Sequence, residues 1–470
     1  MIDPVARRPG TGIVHLGLGA FFRGFGCVYV ADAMAVSGGD WGIIGVSLRS
    51  PATRNALAGQ GWGYNSVTLG ADGPRARWIE VLNDVLVGPE DPEAVLQAMA
   101  DPDVKIVTLT VTEKGYCHHP ATGALAIHHP DIQHDLTERL PVSAPGFLVR
   151  ALQRRQAAGH RPFTVLTCDN LPQNGKVVRG VVLDLARRID LALADWIAAE
   201  GRFPSTMVDR ITPATTEADL AQVAALTGAA DAAPVMHEPF AHWVIEDRFV
   251  GGARPDFAAA GVALVADVTA HEHMKLRLLN GTHSALAYTG YLAGHETIAD
   301  VMADPVFAAY LRHLWVEIRP AVAAPPGVQP EAYTAALAER YANPAIRHRT
   351  WQIAMDGSQK LPQRLLGTLA AAVDAGREAP GLCLAVAAWM RYVTGWDEAG
   401  RPIDVRDPLA DRLRAVTADC ETPDEIVTAL LGVGEVFPSD LASRLQAPLC
   451  CAAARLWSVG VRAAVAEIGS

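Results

Sequence analysis

A lysine, an asparagine and a histidine lie close together in an apolar stretch of the chain. Lys275, Asn280 and His283 follow the spacing K-x4-N-x2-H. On an α-helix, at about 100° per residue, this spacing gathers the three side chains within roughly 140° of arc. A neutral amine can accept a proton, an amide can donate to an alkoxide, and an imidazole can orient a hydroxyl group. The trio predicts chemistry on an alcohol or a ketone that requires no metal.

Lysine is rare in this chain, which gives Lys275 added weight. Only five of the 40 basic residues are lysines, and the other 35 are arginines. Arginine keeps its proton at any usable pH, whereas a buried lysine can lose it. A lysine within an apolar helix is therefore a candidate for chemistry. The alternative is a lysine whose stem covers apolar surface while its amine reaches water.

The composition is that of an acidic, globular chain. Its 470 residues allow two or three domains, half of the residues are hydrophobic, and the formal net charge is −11 at pH 7. This charge argues against nucleic acid or an anionic membrane as partner, so we expect a small-molecule partner and leave the oligomeric state open. The sequence predicts neither a secretory signal nor a membrane span. Seven cysteines without a CxxC pair indicate reduced thiols and a cytoplasmic location.

Strand-like and helix-like runs alternate in the first half of the chain. The predicted strands are residues 12–18, 41–48, 104–112, 163–168 and 261–266, with alanine-rich helical stretches between them. Such alternation implies a parallel sheet that is covered on both faces. Beyond residue 267 helical periodicity dominates. We therefore expect an α/β fold, with an N-terminal Rossmann-type doubly wound domain at residues 1–267 and a mostly α-helical C-terminal domain at residues 268–470.

A glycine-rich turn follows the first predicted strand. Gly17 and Gly19 would let the backbone turn tightly and approach a pyrophosphate at a helix N-terminus. The third glycine of the usual dinucleotide fingerprint falls at position 22, which is Phe22, so the motif alone is a weak signal. Arg23 could pair with a phosphate or form an ordinary surface salt bridge.

The second predicted strand lacks the acidic residue that binds the adenosine ribose in many NAD-binding domains. No Asp or Glu occurs between Asp40 and Asp72. Ser47 could donate to a ribose hydroxyl, and Arg49 could face a 2′-phosphate. These residues do not exclude NADP.

Six segments, taken together and in order, resemble the long-chain mannitol dehydrogenase family of zinc-independent polyol and sugar-acid dehydrogenases. They are Gly17-x-Gly19-x-Phe21-x-Arg23, residues 110–116 (TVTEKGY), residues 168–175 (CDNLPQNG), residues 207–213 (MVDRITP), Glu238-Pro-Phe240 with Trp243, and Lys275-x4-Asn280-x2-His283. The resemblance implies NAD as the first choice of cofactor, with Phe21 and Thr112 among its contacts. One departure is Phe22, since the family often has histidine at that position.

The same resemblance assigns roles around the lysine. It makes Lys275 the general base in alcohol oxidation and the acid in ketone reduction, which requires its pKa to fall toward neutrality through burial. Asn170 and Asn280 would donate to the developing alkoxide, although Asn170 could also form an Asx-turn in its loop. His283 would orient a substrate hydroxyl, or it is an ordinary helix histidine.

Two acidic residues complete the predicted site. Glu272 precedes Lys275 by three residues and would pass the proton to solvent, with a plain i,i+3 ion pair as the alternative. Asp209 matches a family site residue and would lie on the nicotinamide or substrate side. The lysine helix would then form one wall of an interdomain cleft that faces the nicotinamide.

Residues 356–364 and 389–392 look most like the fructuronate reductase branch of the family, which interconverts fructuronate and D-mannonate. Lys360 and Arg364 could bind the carboxylate of such a sugar acid, and a solvated helix face is the alternative. Pro362 between them predicts a structured loop rather than a helix interior. The rival functions are a mannitol 2-dehydrogenase or related polyol enzyme and a catalytically silent dinucleotide-binding sensor.

A histidine-rich segment at residues 117–134 invites comparison with metal sites. Its spacing matches no standard zinc pattern, and its His-Pro and Thr-Gly steps indicate a surface loop. We therefore expect no metal.

Overall fold

The computed structural model describes residues 8–119 and 122–469. The chain divides into two compact units, the first ending at Thr269 and the second beginning at Ala270. This division lies two residues beyond the boundary that the sequence predicts at residue 267.

The strands lie in the first unit. They are β1 (Thr11–Leu16), β2 (Gly42–Ser47), β3 (Tyr64–Gly70), β4 (Gly73–Ile79), β5 (Leu82–Val87), β6 (Ile106–Leu109), β7 (Thr164–Thr167), β8 (Thr206–Asp209), β9 (Val235–His237), β10 (His242–Glu246) and β11 (Ala263–Val265). Five of them form one parallel sheet in the order β5-β2-β1-β6-β7. The chain starts at the centre, builds outward to one edge and then crosses to the other side of β1. This is the strand order of a Rossmann-type domain, and it confirms the predicted fold.

Helices cover both faces of this sheet. The helices of the first unit are α1 (Ala20–Gly24), α2 (Gly26–Ser37), α3 (Ala52–Ala58), α4 (Pro92–Ala100), α5 (Thr112–Gly115), α6 (Pro130–Thr137), α7 (Ala144–Ala157), α8 (Asn174–Ile189), α9 (Leu191–Glu200) and α10 (Glu217–Thr227). On β1, Ile13 packs into a core with Val30 of α2, whereas the next residue, Val14, packs into a second core with Leu152 of α7 and Val181 of α8. Because successive strand residues face opposite sides, the sheet is buried on both faces.

The remaining strands form two smaller sheets, in the orders β11-β10-β8 and β4-β3-β9. Residues 261–266 do contain the strand β11, but it pairs with β10 outside the parallel sheet. The predicted strand is therefore present, in a smaller sheet. Strand β4 was not predicted because its sequence, with Arg75 and Arg77 among exposed positions, contains no apolar run.

One helical stretch, Ala20–Ser37, has the length and mean hydropathy needed to cross a membrane. Half of it is buried within the first unit, and the backbone breaks at Phe25 (φ −130°, ψ −78°), between α1 and α2. Phe22 and Val30 from this stretch pack in the core beside β1. The core helix of a globular domain meets the same criteria of length and composition, so the stretch is weak evidence for a membrane span.

The second unit is helical, which confirms the other half of the predicted fold. Its helices are α11 (Thr269–Met274), α12 (Thr282–Leu292), α13 (Ile298–Ala303), α14 (Pro305–Ile318), α15 (Pro330–Tyr341), α16 (Thr350–Ala354), α17 (Gly357–Leu361), α18 (Gly367–Asp374), α19 (Pro380–Val393), α20 (Ala410–Thr417), α21 (Pro423–Leu431), α22 (Ser439–Val459) and α23 (Val461–Ile468). Twelve of the 14 residues of α19 are buried. It is therefore the central helix, with α12 and α22 packed against it.

A buried histidine stabilises the turn that follows β1. The ring of His15 lies within hydrogen-bonding distance of Thr108 Oγ1 (2.8 Å) and Thr110 Oγ1 (2.9 Å), and the Thr110 hydroxyl donates to the carbonyl oxygen of Gly17 (2.8 Å). The same ring stacks on Phe22, with 3.4 Å between ring centroids. Burial lowers the pKa of His15 to about 3, so the folded protein holds this imidazole neutral.

Replacing His15 with glutamine should make the free energy of unfolding fall less steeply as the pH is lowered. Between the folded pKa of about 3 and the unfolded value of 6.5, the unfolded chain binds one more proton at this residue. The free energy of unfolding therefore falls as pH falls through this window, by up to about 1.4 kcal/mol per pH unit for each such histidine. Urea denaturation of wild type and H15Q at pH 7.5, 6.5 and 5.5 measures this slope. The exposed His128 supplies the control, since H128Q should keep the wild-type slope. An H15Q slope equal to that of wild type would contradict the prediction.

Candidate active site

In the first unit, four segments with predicted site residues leave the same edge of the parallel sheet. They are residues 17–19 after β1, residues 47–49 at the end of β2, residues 110–112 after β6 and residues 168–170 after β7. Strands β1 and β6 are neighbours at the point where the strand order reverses. Ligands of such folds bind beyond the carboxyl ends of the strands at this point. The topology therefore brings the predicted cofactor residues and Asn170 to one edge of the sheet.

The turn after β1 requires its first glycine. Gly17 has a φ of +88°, and a Cβ atom added there would lie 2.2 Å from the carbonyl oxygen of Thr110. The N–H groups of Gly17 and Leu18 both donate to the carbonyl oxygen of Val46, at 2.8 and 3.1 Å. A Cβ atom on Gly19, by contrast, would meet only the Gly17 oxygen at 3.9 Å. The turn thus leaves open space before α1. A phosphate of a dinucleotide could bind there to the N–H groups of the first helical turn.

Arg23 lies in the interior rather than at this edge. It is buried, its Nη1 atom donates to the carbonyl oxygen of Ala233 at 2.6 Å, and its guanidinium lies 5.2 Å from the centroid of the Tyr64 ring. Burial lowers its pKa from the usual value. This placement weighs against a phosphate contact and gives Arg23 a structural role.

The other predicted cofactor residues differ in exposure. Phe21 is half-buried and stacks on Phe25, with 5.1 Å between ring centroids. Ser47 is buried at the end of β2, whereas Arg49, two residues on, is exposed. An exposed arginine at this position is compatible with a 2′-phosphate, so the structure is compatible with NADP as well as with NAD.

Asp169 connects the ends of β6 and β7, and sequence reasoning missed it. Its carboxylate accepts from the N–H groups of Val111 (2.9 Å) and Thr112 (3.0 Å) and from the hydroxyl of Tyr116 (2.7 Å). Burial raises the pKa of Asp169, and these three donors oppose the rise. Thr112, which is predicted to contact the cofactor, is exposed with a φ of +63°. Asp169 therefore fixes a strained backbone position at the sheet edge.

Asn174 is a second residue that sequence reasoning missed. Its side-chain amide donates to the carbonyl oxygens of Asp169 (3.0 Å) and Thr206 (2.9 Å) and accepts from the N–H of Thr206 (2.9 Å). It thereby ties the loop after β7 to β8. Asn170 is exposed within that loop. The position of Asn174 inside the CDNLPQNG segment was the only available signal.

Asp209 ends β8 and is buried. Its neighbour Arg210 donates to the carbonyl oxygens of Gly24 (2.5 Å) and Phe240 (3.0 Å). Arg210 thus connects the end of β8 to α1 and to the Glu238-Pro-Phe240 segment. These bonds hold the backbone next to the predicted site residue Asp209.

In the second unit, the predicted lysine helix departs from α-helical geometry. Residues Lys275–Gly281 form a π-helix between α11 and α12. A π-helix bonds residue i to i+5, so Lys275 and Asn280 stand one above the other rather than about 140° apart. Both are buried, with 8% and 7% of their surface exposed. The prediction of a regular α-helix here is wrong, and the π-helix brings the amine and the amide closer than the predicted spacing does.

Side chains from neighbouring helices satisfy the carbonyl groups of this π-helix. Trp315 Nε1 donates to the carbonyl oxygen of Leu278 (3.1 Å), and the Tyr341 hydroxyl donates to that of Leu279 (2.7 Å). A buried carbonyl group without a partner would be costly. These two donors therefore stabilise the wider helical turn that carries Lys275. Glu272 is half-buried on α11, immediately before the π-helix.

A second π-helix, Pro362–Leu366, packs against the first. Helix α17, this π-helix and α18 are continuous, so the predicted loop between Lys360 and Arg364 is wrong. Pro362 lies inside this continuous helix, at the residue where the wider π geometry begins. The two π-helices meet at Gly281, where an added Cβ atom would lie 2.7 Å from the carbonyl oxygen of Arg364.

His283 lies among basic side chains in the second unit. Its ring stacks on Tyr341 (5.2 Å between centroids) and lies 4.9 Å from the ring of His348. Burial lowers the pKa of His283 well below its usual value, and His348, Arg364, Arg340 and Lys360 lower it further. The four side chains that lower the pKa of His283 are therefore all basic residues.

Two imidazole nitrogens in this cluster are buried without a hydrogen-bonding partner among the described residues, Nε2 of His283 and Nδ1 of His348. Such atoms are uncommon in proteins and commonly mark the place of a ligand or water. Arg364 Nη1 donates to Ser284 Oγ (3.0 Å), and Lys360 Nζ donates to the carbonyl oxygens of Met355 (2.5 Å) and Ile353 (3.4 Å).

Of these residues, sequence reasoning had singled out only His283, Lys360 and Arg364. Arg340 and His348 escaped it because nothing in the sequence separates Arg340 from the other arginines, or His348 from its flanking arginines. We call His283, Arg340, His348, Lys360 and Arg364 the basic cluster.

The strand order and the glycine turn define a Rossmann-type domain of the kind that binds dinucleotides. Sequence comparison is more specific. Residues 11–258 match the family model of the mannitol dehydrogenase Rossmann domain, and residues 267–448 match that of the mannitol dehydrogenase C-terminal domain. The chain belongs to the mannitol dehydrogenase family, which confirms the predicted resemblance.

Three similar proteins place the chain within that family. An uncharacterised oxidoreductase of Escherichia coli K12 is 46% identical over 91% of this chain and 88% of its own length. The D-mannonate oxidoreductase of the same organism is 44% identical over 93% of this chain and 92% of its own length. The structure of Pseudomonas fluorescens mannitol 2-dehydrogenase in a ternary complex with NAD and D-mannitol is 37% identical, with a TM-score of 0.87, over 98% of this chain and 94% of its own.

Alanine at position 281 should disturb the contact between the π-helices, whereas alanine at position 367 should not. Both glycines have helical backbone angles, with φ of −63°. The Cβ of G281A would lie 2.7 Å from the backbone oxygen of Arg364, while that of G367A meets Pro362 oxygen at 3.7 Å. We expect G281A to cost about 1–3 kcal/mol and to lower turnover, and G367A to be neutral or stabilising by up to about 1 kcal/mol. Denaturant unfolding and steady-state rates measure both effects, and equal behaviour of the two variants would contradict the proposed contact.

Proposed function

We propose that the protein is an NAD-dependent dehydrogenase that interconverts fructuronate and D-mannonate. The basic cluster carries the sugar-acid part of this proposal. Arg340, Lys360 and Arg364 act electrostatically on His283, and within the described part of the chain one ring nitrogen of His283 and one of His348 are buried without a hydrogen-bonding partner. Guanidinium and ammonium groups can donate charge-assisted hydrogen bonds to a carboxylate, and substrate hydroxyl groups can pair with the two imidazole nitrogens.

The charge of the ligand follows from the electrostatics at His283 and His348. Burial, together with the charges of Lys360 and Arg364, lowers the pKa of His348 to about 4. Both imidazoles are thus neutral near pH 7, so they can donate or accept a hydrogen bond without adding charge. Acidic residues do lie nearby, but Asp407 is engaged with the N–H and hydroxyl of Ser358 (2.7 and 2.5 Å) and the N–H of Leu409 (2.9 Å). The cluster therefore favours an anionic, hydroxylated ligand.

Lys275 is the proposed general acid and base. A bound nicotinamide accepts or supplies the hydride. During alcohol oxidation the neutral amine of Lys275 takes the hydroxyl proton, and during ketone reduction the ammonium returns it. Burial of Lys275 supports this role, because desolvation disfavours the charged form. Glu272 is the proposed relay for the proton between Lys275 and solvent.

Amide groups are the proposed donors to the developing alkoxide. Asn280 stands over Lys275 on the π-helix, so one substrate oxygen can meet the amine and the amide together. Asn170 keeps the second donor role that the sequence resemblance implies, and Asp209 keeps its role on the nicotinamide or substrate side. Neither role requires a metal.

A polyol dehydrogenase is the second candidate. The similarity to a mannitol 2-dehydrogenase solved with NAD and D-mannitol supports it, and the neutral imidazoles of the basic cluster suit an uncharged polyol. We rank it second because three surrounding cations are more than an uncharged substrate needs. NAD is preferred over NADP through the same relative, although the exposed Arg49 suits a 2′-phosphate.

Removing the amine of Lys275 should abolish most of the turnover. We expect K275A to lower kcat by about 10²- to 10⁴-fold, the usual contribution of a general acid or base. Turnover in the oxidation direction should rise with pH in wild type, as the lysine loses its proton, and this limb should disappear in K275A. The control is K105A, which removes a surface lysine. Near-normal turnover of K275A with any accepted substrate would show that the base is misassigned.

A substrate panel tests the basic cluster. With NADH and with NADPH, we would compare fructuronate, tagaturonate, fructose and fructose phosphates. Uronates should be preferred, and R364Q and R340Q should lower kcat/KM for uronates by about ten- to 100-fold, the effect of losing a charge-assisted hydrogen bond. Their effect on fructose should be smaller.

The exposed Arg347 provides the matched control, since R347Q removes a nearby guanidinium outside the basic cluster. Clearly better turnover of fructose than of the uronates would refute the sugar-acid proposal while leaving the role of Lys275 intact.

A further inference from the structure

The histidine-rich segment of the first unit brings together three side chains that can bind a metal. A ligand atom from each of Cys117, His129 and Asp131 lies within 4.8 Å of the other two. The Nδ1 atom of His129 and an Oδ atom of Asp131 are 3.9 Å apart. Thiolate, imidazole and carboxylate are the three ligand types that zinc accepts, and a tetrahedral ion with ligand bonds of about 2.0–2.3 Å would draw the donors to within about 3.3–3.8 Å of one another. The Nδ1 atom of His129 accepts from the N–H of Asp131 at 3.3 Å, a bond that the ion would replace.

Backbone pairing explains why the sequence spacing concealed this group. The N–H of Ala126 donates to the carbonyl oxygen of Cys117 (2.7 Å), and the N–H of His129 donates to that of Ala126 (2.9 Å). The chain thus returns to Cys117 before α6 begins, and His129 occupies the N-cap position of that helix. The resulting pattern, C-x11-H-x-D, resembles no zinc motif, although the fold makes the three side chains neighbours.

We propose that Cys117, His129 and Asp131 bind one zinc ion, with water as the fourth ligand. Three protein ligands and a water are a common coordination for zinc. Asp131 is 49% exposed and His129 39% exposed, so the ion can enter from solvent. On binding, the Cys117 thiol gives its proton to the buffer, a sulfur–zinc bond forms, and no oxidation or reduction occurs.

The surrounding charges favour a cation. The carboxylates of Asp131 and Asp135 lie close enough to Cys117 to act on its thiol electrostatically. The same negative field attracts a divalent ion, whose charge then stabilises the thiolate. The N-terminus of α6 acts against a cation, but it is countered by Asp131 and by Asp135, which is fully buried and accepts from the N–H groups of Val142 (2.8 Å) and Ser143 (3.1 Å).

A metal here would act on the backbone rather than on the substrate. Cys117 follows Tyr116, whose hydroxyl donates to Asp169 at 2.7 Å, and Asp169 also holds Val111 and Thr112 at the end of β6. Cys117 itself has a φ of +49°, which is unfavourable for this residue type. A zinc ion would fix this segment in place, so its role is structural. This inference does not depend on the proposed substrate.

The test is zinc and cobalt binding by the whole protein after dialysis against a chelator. Wild type should bind one equivalent of Zn²⁺ in competition with a chromophoric chelator, and Co²⁺ should give the intense near-ultraviolet band of a cobalt–thiolate bond. C117S should remove that band. H129Q and D131N, which change exposed side chains and should fold normally, should weaken zinc binding by at least about tenfold, the loss that even outer-shell changes cause.

The adjacent thiols Cys450 and Cys451 in α22 are the control, because they could also bind these ions. The double variant C450S/C451S should retain the wild-type stoichiometry and the cobalt–thiolate band. Loss of binding in this variant together with full binding in C117S, H129Q and D131N would refute the proposal. Absence of any bound equivalent in wild type would refute it as well.

Discussion

The absence of a side chain at Gly281 permits the contact on which the second unit depends. An added Cβ atom would lie 2.7 Å from the carbonyl oxygen of Arg364, so the π-helices that carry Lys275 and Arg364 can approach only through a glycine. The wider turn of the first π-helix redirects carbonyl groups that an α-helix would satisfy internally. Trp315 and Tyr341 donate to two of these carbonyl groups, to which Thr282 also donates. Side-chain donors to its carbonyl groups therefore help to stabilise the π-helix.

Tyr341 links this backbone arrangement to the chemistry. Its hydroxyl donates to the carbonyl oxygen of Leu279, and its ring stacks on His283. One side chain thus supports the π-helix and fixes the orientation of the imidazole that follows it. The arrangement explains why a lysine, an asparagine and a histidine can share one short segment without a flexible loop. Residues on regular elements hold their geometry more precisely than residues on loops.

The sequence predicted the strands that are continuous apolar runs and missed strands that are not. Strands β1, β2, β6 and β7 are apolar runs because both faces of the parallel sheet are buried, and they were found. Strand β4 is largely exposed, so no apolar run reveals it. The K-x4-N-x2-H spacing predicted an α-helix where the structure has a π-helix. The choice of π over α depends on Trp315, Tyr341 and Gly281, which lie at distant or unremarkable positions.

The basic cluster is formed by tertiary packing and could not be predicted from any local sequence pattern. Arg340 and His348 lie on separate segments from His283, and only the fold makes them neighbours. Gathering cations around desolvated imidazoles opposes folding, because like charges repel and charge burial is unfavourable. Such an arrangement is stable only if the rest of the unit compensates, and here the largely buried helix α19 and its partners α12 and α22 form that core.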